Sequence, residues 1–125
     1  DHGTTYGGNV LSTRAALYVL EELDRLAPSI KEMGALFEQK LRALQQKYPV
    51  VTDVKGAGLM QGLHLSVDAL PVVEASLKAG LLVNRTAEKV VRMLPPLVVS
   101  AADIEQAVSI LDGALAALSV EEVKA

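Results

Sequence analysis

At 125 residues the chain has the size of one domain and enough side chains to bury a core. Half of it is hydrophobic but only 3% is aromatic, so that core must be built from Leu, Val, Ile and Ala. With 12 Lys and Arg against 15 Asp and Glu the formal charge is −3 and the signs are interspersed, which gives no footing for nucleic acid or an anionic membrane as partner. The absence of cysteine removes disulfides, thiolate metal sites and cysteine nucleophiles together. His2 and His64, far apart in sequence, make a poor metal site. No uncharged run reaches the ~18 residues of a membrane span, and the N-terminus lacks the basic start of a secretory signal. A soluble, cytoplasmic chain is expected.

The chain opens on His2-Gly3-Thr4-Thr5-Tyr6-Gly7-Gly8-Asn9. The glycines permit positive φ and a close approach of backbone N–H groups to a ligand, the threonine hydroxyls donate, and a helical pattern starts at once behind them. Such a loop suits an anion, a phosphate above all. The plainer reading is a turn followed by an N-cap. No Gly-Lys-Ser/Thr follows, and the spacing is not that of a dinucleotide-binding Gly-x-Gly-x-x-Gly. Because Asp1 already lies inside this loop, with no strand before it, the chain reads as a piece of a longer protein whose remainder holds the rest of the site.

Residues 9–27 have a helical pattern, apolar almost all round at Val10, Leu11, Ala15, Ala16, Leu17, Val19 and Leu20 and amphipathic after Glu21. Pro28 is expected to interrupt it, and Ser29 with Glu32 stands at capping-box spacing for a second helix. That helix carries Ile30, Met33, Phe37, Leu41 and Leu44 on one face and stops at Pro49. Val50, Thr52 and Val54 then alternate with Val51, Asp53 and Lys55. A turn at Gly56-Ala57-Gly58 leads into a second strand with Leu59, Gln61, Leu63, Leu65 and Val67 on one face and Met60, Gly62, His64 and Ser66 on the other, which together predict a hairpin. Asp68 is placed to cap a helix reaching Ala79, with Pro71 in its first turn and Gly80 as C-cap.

Leu81, Leu82 and Val83 are expected to open another strand, with a turn at Ala87-Glu88 and a returning strand from Lys89 to Met93. The prolines of Leu94-Pro95-Pro96-Leu97 bar helix and central strand alike. Ser100 and Asp103 form a capping box for a last helix whose stripe is Ile104, Ala107, Val108, Leu111, Leu115 and Leu118, with residues 121–125 expected to fray. The pattern is an α+β module on a long helical arm.

Little in this pattern nominates an acid–base catalyst. His64 reads as a half-exposed or satisfied strand histidine. Glu21-Glu22 and Glu121-Glu122 read as solvated helix faces, and none of the lysines looks desolvated enough for Schiff-base chemistry. Arg92 stands apart as a single cation inside Val90-Val91-Arg92-Met93-Leu94-Pro95-Pro96-Leu97. Burying a guanidinium is expensive unless a carboxylate or phosphate meets it, so Arg92 is either a fork for a ligand carboxylate or an edge-strand residue whose head reaches water.

Three separated stretches together resemble one family. Gly3-Thr4-Thr5-Tyr6-Gly7-Gly8-Asn9, Lys55-Gly56-Ala57-Gly58-Leu59-Met60-Gln61-Gly62, and Gly80-Leu81-Leu82-Val83-Asn84 with Val91-Arg92-Met93-Leu94-Pro95-Pro96-Leu97 match, in order, the C-terminal part of class III aminotransferases that use pyridoxal phosphate (PLP). The resemblance implies a fold type I (α/β) transferase acting as a homodimer. Its C-terminal part would divide here into a loop from the large domain (residues 1–9), an interdomain helical arm (10–49) and a small βαβ-type domain (50–125).

It implies further that Thr5 binds the PLP phosphate held by the partner subunit, that Thr4 lies beside the substrate, and that Arg92 takes a substrate α-carboxylate. The implied reaction moves the δ-amino group of N-acetylornithine to 2-oxoglutarate, in arginine biosynthesis. Succinylornithine, succinyldiaminopimelate, ornithine or 4-aminobutyrate are alternative donors. Val10 stands where many members have proline, which loses a preset helix start but keeps the Asn9 cap. The lysine that carries the cofactor, the aspartate that meets its pyridine nitrogen and the aromatic that stacks on it are all expected upstream of Asp1, so the segment alone is expected to be inactive. A small-molecule-binding module and a purely structural dimerisation module stay open as non-catalytic readings.

Overall fold

The computed structural model describes the backbone of residues 10–124 and the side chains of residues 21, 22 and 24–118. Its first element is one long helix, α1 (Val10–Lys47), with Pro28 inside it. The expected break at Pro28 is therefore absent. A proline within a helix forfeits one hydrogen bond and crowds the preceding turn. Ending the helix there would instead create two further termini, each with four unsatisfied backbone groups. The proposed start signals Ser29 and Glu32 are both exposed on the continuous helix.

Strands β1 (Val51–Ala57) and β2 (Met60–Leu65) form the expected hairpin. Its register shifts between Val51, opposite Leu65, and Asp53, opposite His64. This irregularity breaks the simple alternation read from sequence: Val51 and Val54 are both buried, while Thr52 is exposed and its hydroxyl donates to the His64 carbonyl at 3.1 Å. At the tip Gly58 has φ +56, and α1 passes so close that a Cβ on Gly34 would lie 2.7 Å from the Gly58 carbonyl oxygen.

Helix α2 (Leu70–Lys78) starts where Asp68 Oδ1 accepts the Leu70 N–H at 2.9 Å. It ends with Gly80 at φ +94 and Leu81 N–H donating to the Ser76 carbonyl at 2.8 Å, the wrap of a Schellman motif. Strand β3 (Asn84–Thr86) begins three residues later than expected. Its partner β4 (Val90–Met93) ends one residue beyond the Asn84–Arg92 pair, so residues 81–83 run past the end of the ladder. The turn between them places Ala87 and Glu88 both at positive φ, 49° and 56°. The capping box of α3 (Ala101–Lys124) is formed in both directions: Asp103 N–H donates to Ser100 Oγ at 3.1 Å, and Ser100 N–H donates to Asp103 Oδ2 at 3.0 Å. The helix reaches Lys124, into the stretch expected to fray.

The sheet order is β1-β2-β4-β3 and every neighbouring pair is antiparallel. β2 and β3 are consequently parallel to each other with β4 inserted between them, which makes β2-α2-β3 a split βαβ unit. One sheet face supplies Val54, Leu63, Val91 and Met93 to the core, where Phe37, Leu41 and Leu44 of α1, Val72 of α2 and Ile104, Leu111 and Leu115 of α3 meet them. At the far end Asp112 ties α3 to α1: it accepts the Tyr48 hydroxyl and both its oxygens accept from Lys47 Nζ, at 3.0 and 2.9 Å. Leu82, Leu94 and Val98 are 79%, 68% and 74% exposed. Beside them a groove of about 410 Å³ runs along Val83, Met93, Pro95, Val99 and Ile104. No described helix is long and apolar enough to cross a membrane.

Candidate functional site

The helices cover one face of the sheet, and the opposite face carries the polar side chains. In β4 the alternation sends Val91 and Met93 into the core and Arg92 outward, so the cation in the apolar run is exposed, not buried. Nor is it on an edge strand. Arg92 sits on β4 between Gly62 of β2 and Asn84 of β3, held by ladders on both sides. Opposite it Gly62 has no side chain to occupy the surface above the sheet. The result is a shallow concavity of about 300 Å³ lined by Lys55, Gly56, Met60, Gly62, His64 and Arg92.

The hairpin builds the floor of this concavity through its glycines. A Cβ at Gly56 would come within 2.1 Å of the Met60 carbonyl oxygen, so only glycine lets β1 and β2 close at this point. Gln61, 2% exposed, faces the other way and its Nε2 donates to the Gly58 carbonyl at 2.9 Å, tying the tip down from the core side.

The electrostatics of the open face are cationic around Arg92. Lys55 Nζ is 3.9 Å from Asp53 Oδ2 on the same strand, a loose exposed pair. No carboxylate among the described residues pairs with the Arg92 guanidinium, whose Nη2 instead donates to Met60 Sδ at 3.0 Å. A thioether is a weak acceptor, whereas a guanidinium is shaped for two parallel bonds to a carboxylate. An incoming carboxylate therefore displaces little and gains a charge-assisted contact.

Three carboxylates elsewhere are committed to structure. The Arg85 guanidinium, with the Leu70 N–H, holds Asp68 below its ordinary carboxylate range. The backbone and hydroxyl of Ser100 do the same for Asp103. The Tyr48 hydroxyl, with Lys47, does so for Asp112.

Of the residues singled out in the sequence, Arg92 thus lies in a concavity on the open face, whereas Thr4 and Thr5 lie outside the described residues. Met60 and Gly62 went unassigned in the sequence, although their shared face with His64 was legible; the cross-strand pairing that brings them to Arg92 was not.

The matching family model is Aminotransferase class-III, over residues 1–115. The chain belongs to the class III aminotransferases. An acetylornithine aminotransferase of Aquifex aeolicus is 43% identical over 110 residues, which are 88% of this chain and 28% of that protein. The crystal structure of acetylornithine aminotransferase from Elizabethkingia anophelis superposes with a TM-score of 0.80 at 26% identity, covering 93% of this chain and 32% of that one. The ornithine aminotransferase of Toxoplasma gondii, whose structure reveals partial occupancy of PLP at its active site, gives a TM-score of 0.82 at 30% identity over 96% of this chain and 30% of that one. The chain therefore spans about a third or less of the length of these relatives.

Class III aminotransferases are PLP enzymes, and the described residues answer that cofactor only in part. The open face offers a cation for a carboxylate, but no aromatic ring or unpaired acid beside it to hold a pyridine ring; Phe37 and Tyr48 are buried in the core.

Proposed function

We propose that this chain is the C-terminal part of an aminotransferase that moves the δ-amino group of N-acetylornithine to 2-oxoglutarate, with Arg92 receiving the α-carboxylate of either substrate. The observation that carries the reading is the exposed guanidinium of Arg92, on a strand paired on both sides, opposite a glycine, and hydrogen-bonded to a thioether but ion-paired with no carboxylate among the described residues. Acetylornithine aminotransferases recur among the relatives at about 40% identity, which supports the choice of donor.

In this reading the loop of residues 1–9 brings Thr5 to the PLP phosphate across a dimer interface and Thr4 to the substrate's side. Residues 10–49 form the arm between domains and residues 50–125 the small domain. Phe37, Leu41 and Leu44 pack in one core with the sheet, which supports the C-terminal part of the arm moving with the site. When bound, PLP supplies the electron sink on which amino transfer depends. The chain's own residues bind and orient: Arg92 fixes the carboxylate end, so that the amino or keto group is presented in one orientation. The cytoplasm is the proposed compartment.

The test is made on the full-length protein. It is expected to transaminate N-acetylornithine with 2-oxoglutarate, and Thr5→Ala is expected to lose PLP on dialysis faster than the parent while the dimer persists. Failure to transaminate any ornithine derivative or 4-aminobutyrate would remove the reading. Unchanged PLP retention in Thr5→Ala would remove the role of the loop.

A further inference from the structure

The contact between Met60 and Arg92 has a chemistry of its own. The chain has three methionines, Met33, Met60 and Met93. Met93 is 4% exposed in the core and Met33 packs against that core, whereas Met60 is 42% exposed on the open face. Its sulfur is the acceptor for Arg92 Nη2 at 3.0 Å, and its backbone is fixed by pairing with Ala57 across the hairpin. An exposed thioether is the form of methionine that peroxides reach.

We propose that Met60 is an oxidation site whose sulfoxide occupies the Arg92 guanidinium in place of a substrate carboxylate. The proposal rests on Arg92 being the carboxylate fork. In the step itself one oxygen of a hydroperoxide passes to the sulfur lone pair as the O–O bond breaks. The sulfur is oxidised by two electrons, and with hydrogen peroxide the other oxygen leaves as water. The product oxygen is a strong, polar acceptor on the atom that already touches the guanidinium, so a weak contact becomes a firm one. The added oxygen enters the concavity of about 300 Å³ that Met60 and Arg92 both line. The fork is then filled from within the chain, and both the amino acid and the keto acid must displace the sulfoxide to bind. Reduction of the sulfoxide reopens the site.

The test compares the full-length holoenzyme and its Met60→Leu variant before and after hydrogen peroxide, each against its own unoxidised form, with the modified peptides mapped by mass. One added oxygen is expected on Met60. KM for donor and for 2-oxoglutarate is expected to rise about tenfold, with kcat nearly unchanged, recovery on treatment with methionine sulfoxide reductase, and no such rise in Met60→Leu. No oxygen on Met60, an oxidised Met60 with unchanged KM, or an equal rise in Met60→Leu each overturns the inference. Arg92→Ala separates the two levels: if it leaves KM unchanged the fork reading itself fails, and if it raises KM while oxidation does nothing only the role of Met60 fails.

Discussion

The position of Arg92 is set by its neighbours more than by its own side chain. It lies on an inner strand, exposed, with glycine opposite it on the neighbouring strand. Lysine at the same place keeps the charge but loses the two-pronged geometry. Arg92→Lys in the full-length enzyme is therefore expected to forfeit a charge-assisted hydrogen bond worth about 1.5–3 kcal/mol, raising KM for amino donor and keto acid roughly ten- to hundredfold. Steady-state kinetics on both substrates checks this, and an unaltered KM for either denies Arg92 that substrate. As a residue, Arg92 was legible in the sequence because a lone cation in an apolar run demands an explanation. Met60 was not, because it reaches Arg92 across 32 residues of chain, and only the strand pairing brings the two together.

Among the elements, α1 and the hairpin meet through glycine. Alanine normally stabilises a helix by about 1 kcal/mol over glycine, but at Gly34 the new Cβ would lie 2.7 Å from the Gly58 carbonyl oxygen, and forced overpacking costs about 1–3 kcal/mol. The clash wins, so Gly34→Ala is expected to lower stability. Gly113 on α3 has nothing within 4 Å of where a Cβ would stand, and Gly113→Ala is expected to raise stability by about 0.5–1 kcal/mol. Opposite signs for one substitution in two helices, read by urea or thermal unfolding, are the expected result; equal signs would mean that the α1–hairpin approach is looser than described.

The same scale shows where sequence reading stops. The Ser100–Asp103 capping box, the hairpin and the Gly80 cap were legible because each is decided by residues a few positions apart. The continuity of α1 through Pro28 was not, because it depends on the cost of making new helix ends. The late start of β3 was not, because it depends on where its partner strand ends.

For the molecule as a whole, pH acts through the ties between elements. Asp68, Asp103 and Asp112 all have folded pKa values below the ordinary 3.8. Their contribution is present above that value and is lost as pH falls through the lower folded values. The Asp112 contact also raises Lys47 above 10.5 and Tyr48 above 10.0, and that contribution is present below those values and lost as pH rises through the raised ones. These are two views of one cluster and are not additive. Thermal melting is expected to hold a plateau in between and fall at both ends, with Asp112→Asn shallower on both limbs. An Asp112→Asn profile parallel to the parent would show that the cluster does not link α1 to α3 energetically.

The insertion of β4 between β2 and β3 also bears on how the chain emerges from the ribosome. Until residues 90–93 are made, β2 has an open edge on the side that β4 will fill, and β3 has no partner at all. Unpaired edges invite pairing with other chains. The nascent protein is therefore most exposed to aggregation just before Arg92 and its strand are synthesised. The tight turn at Ala87-Glu88, strained at both positions, is what folds the closing strand back into that gap.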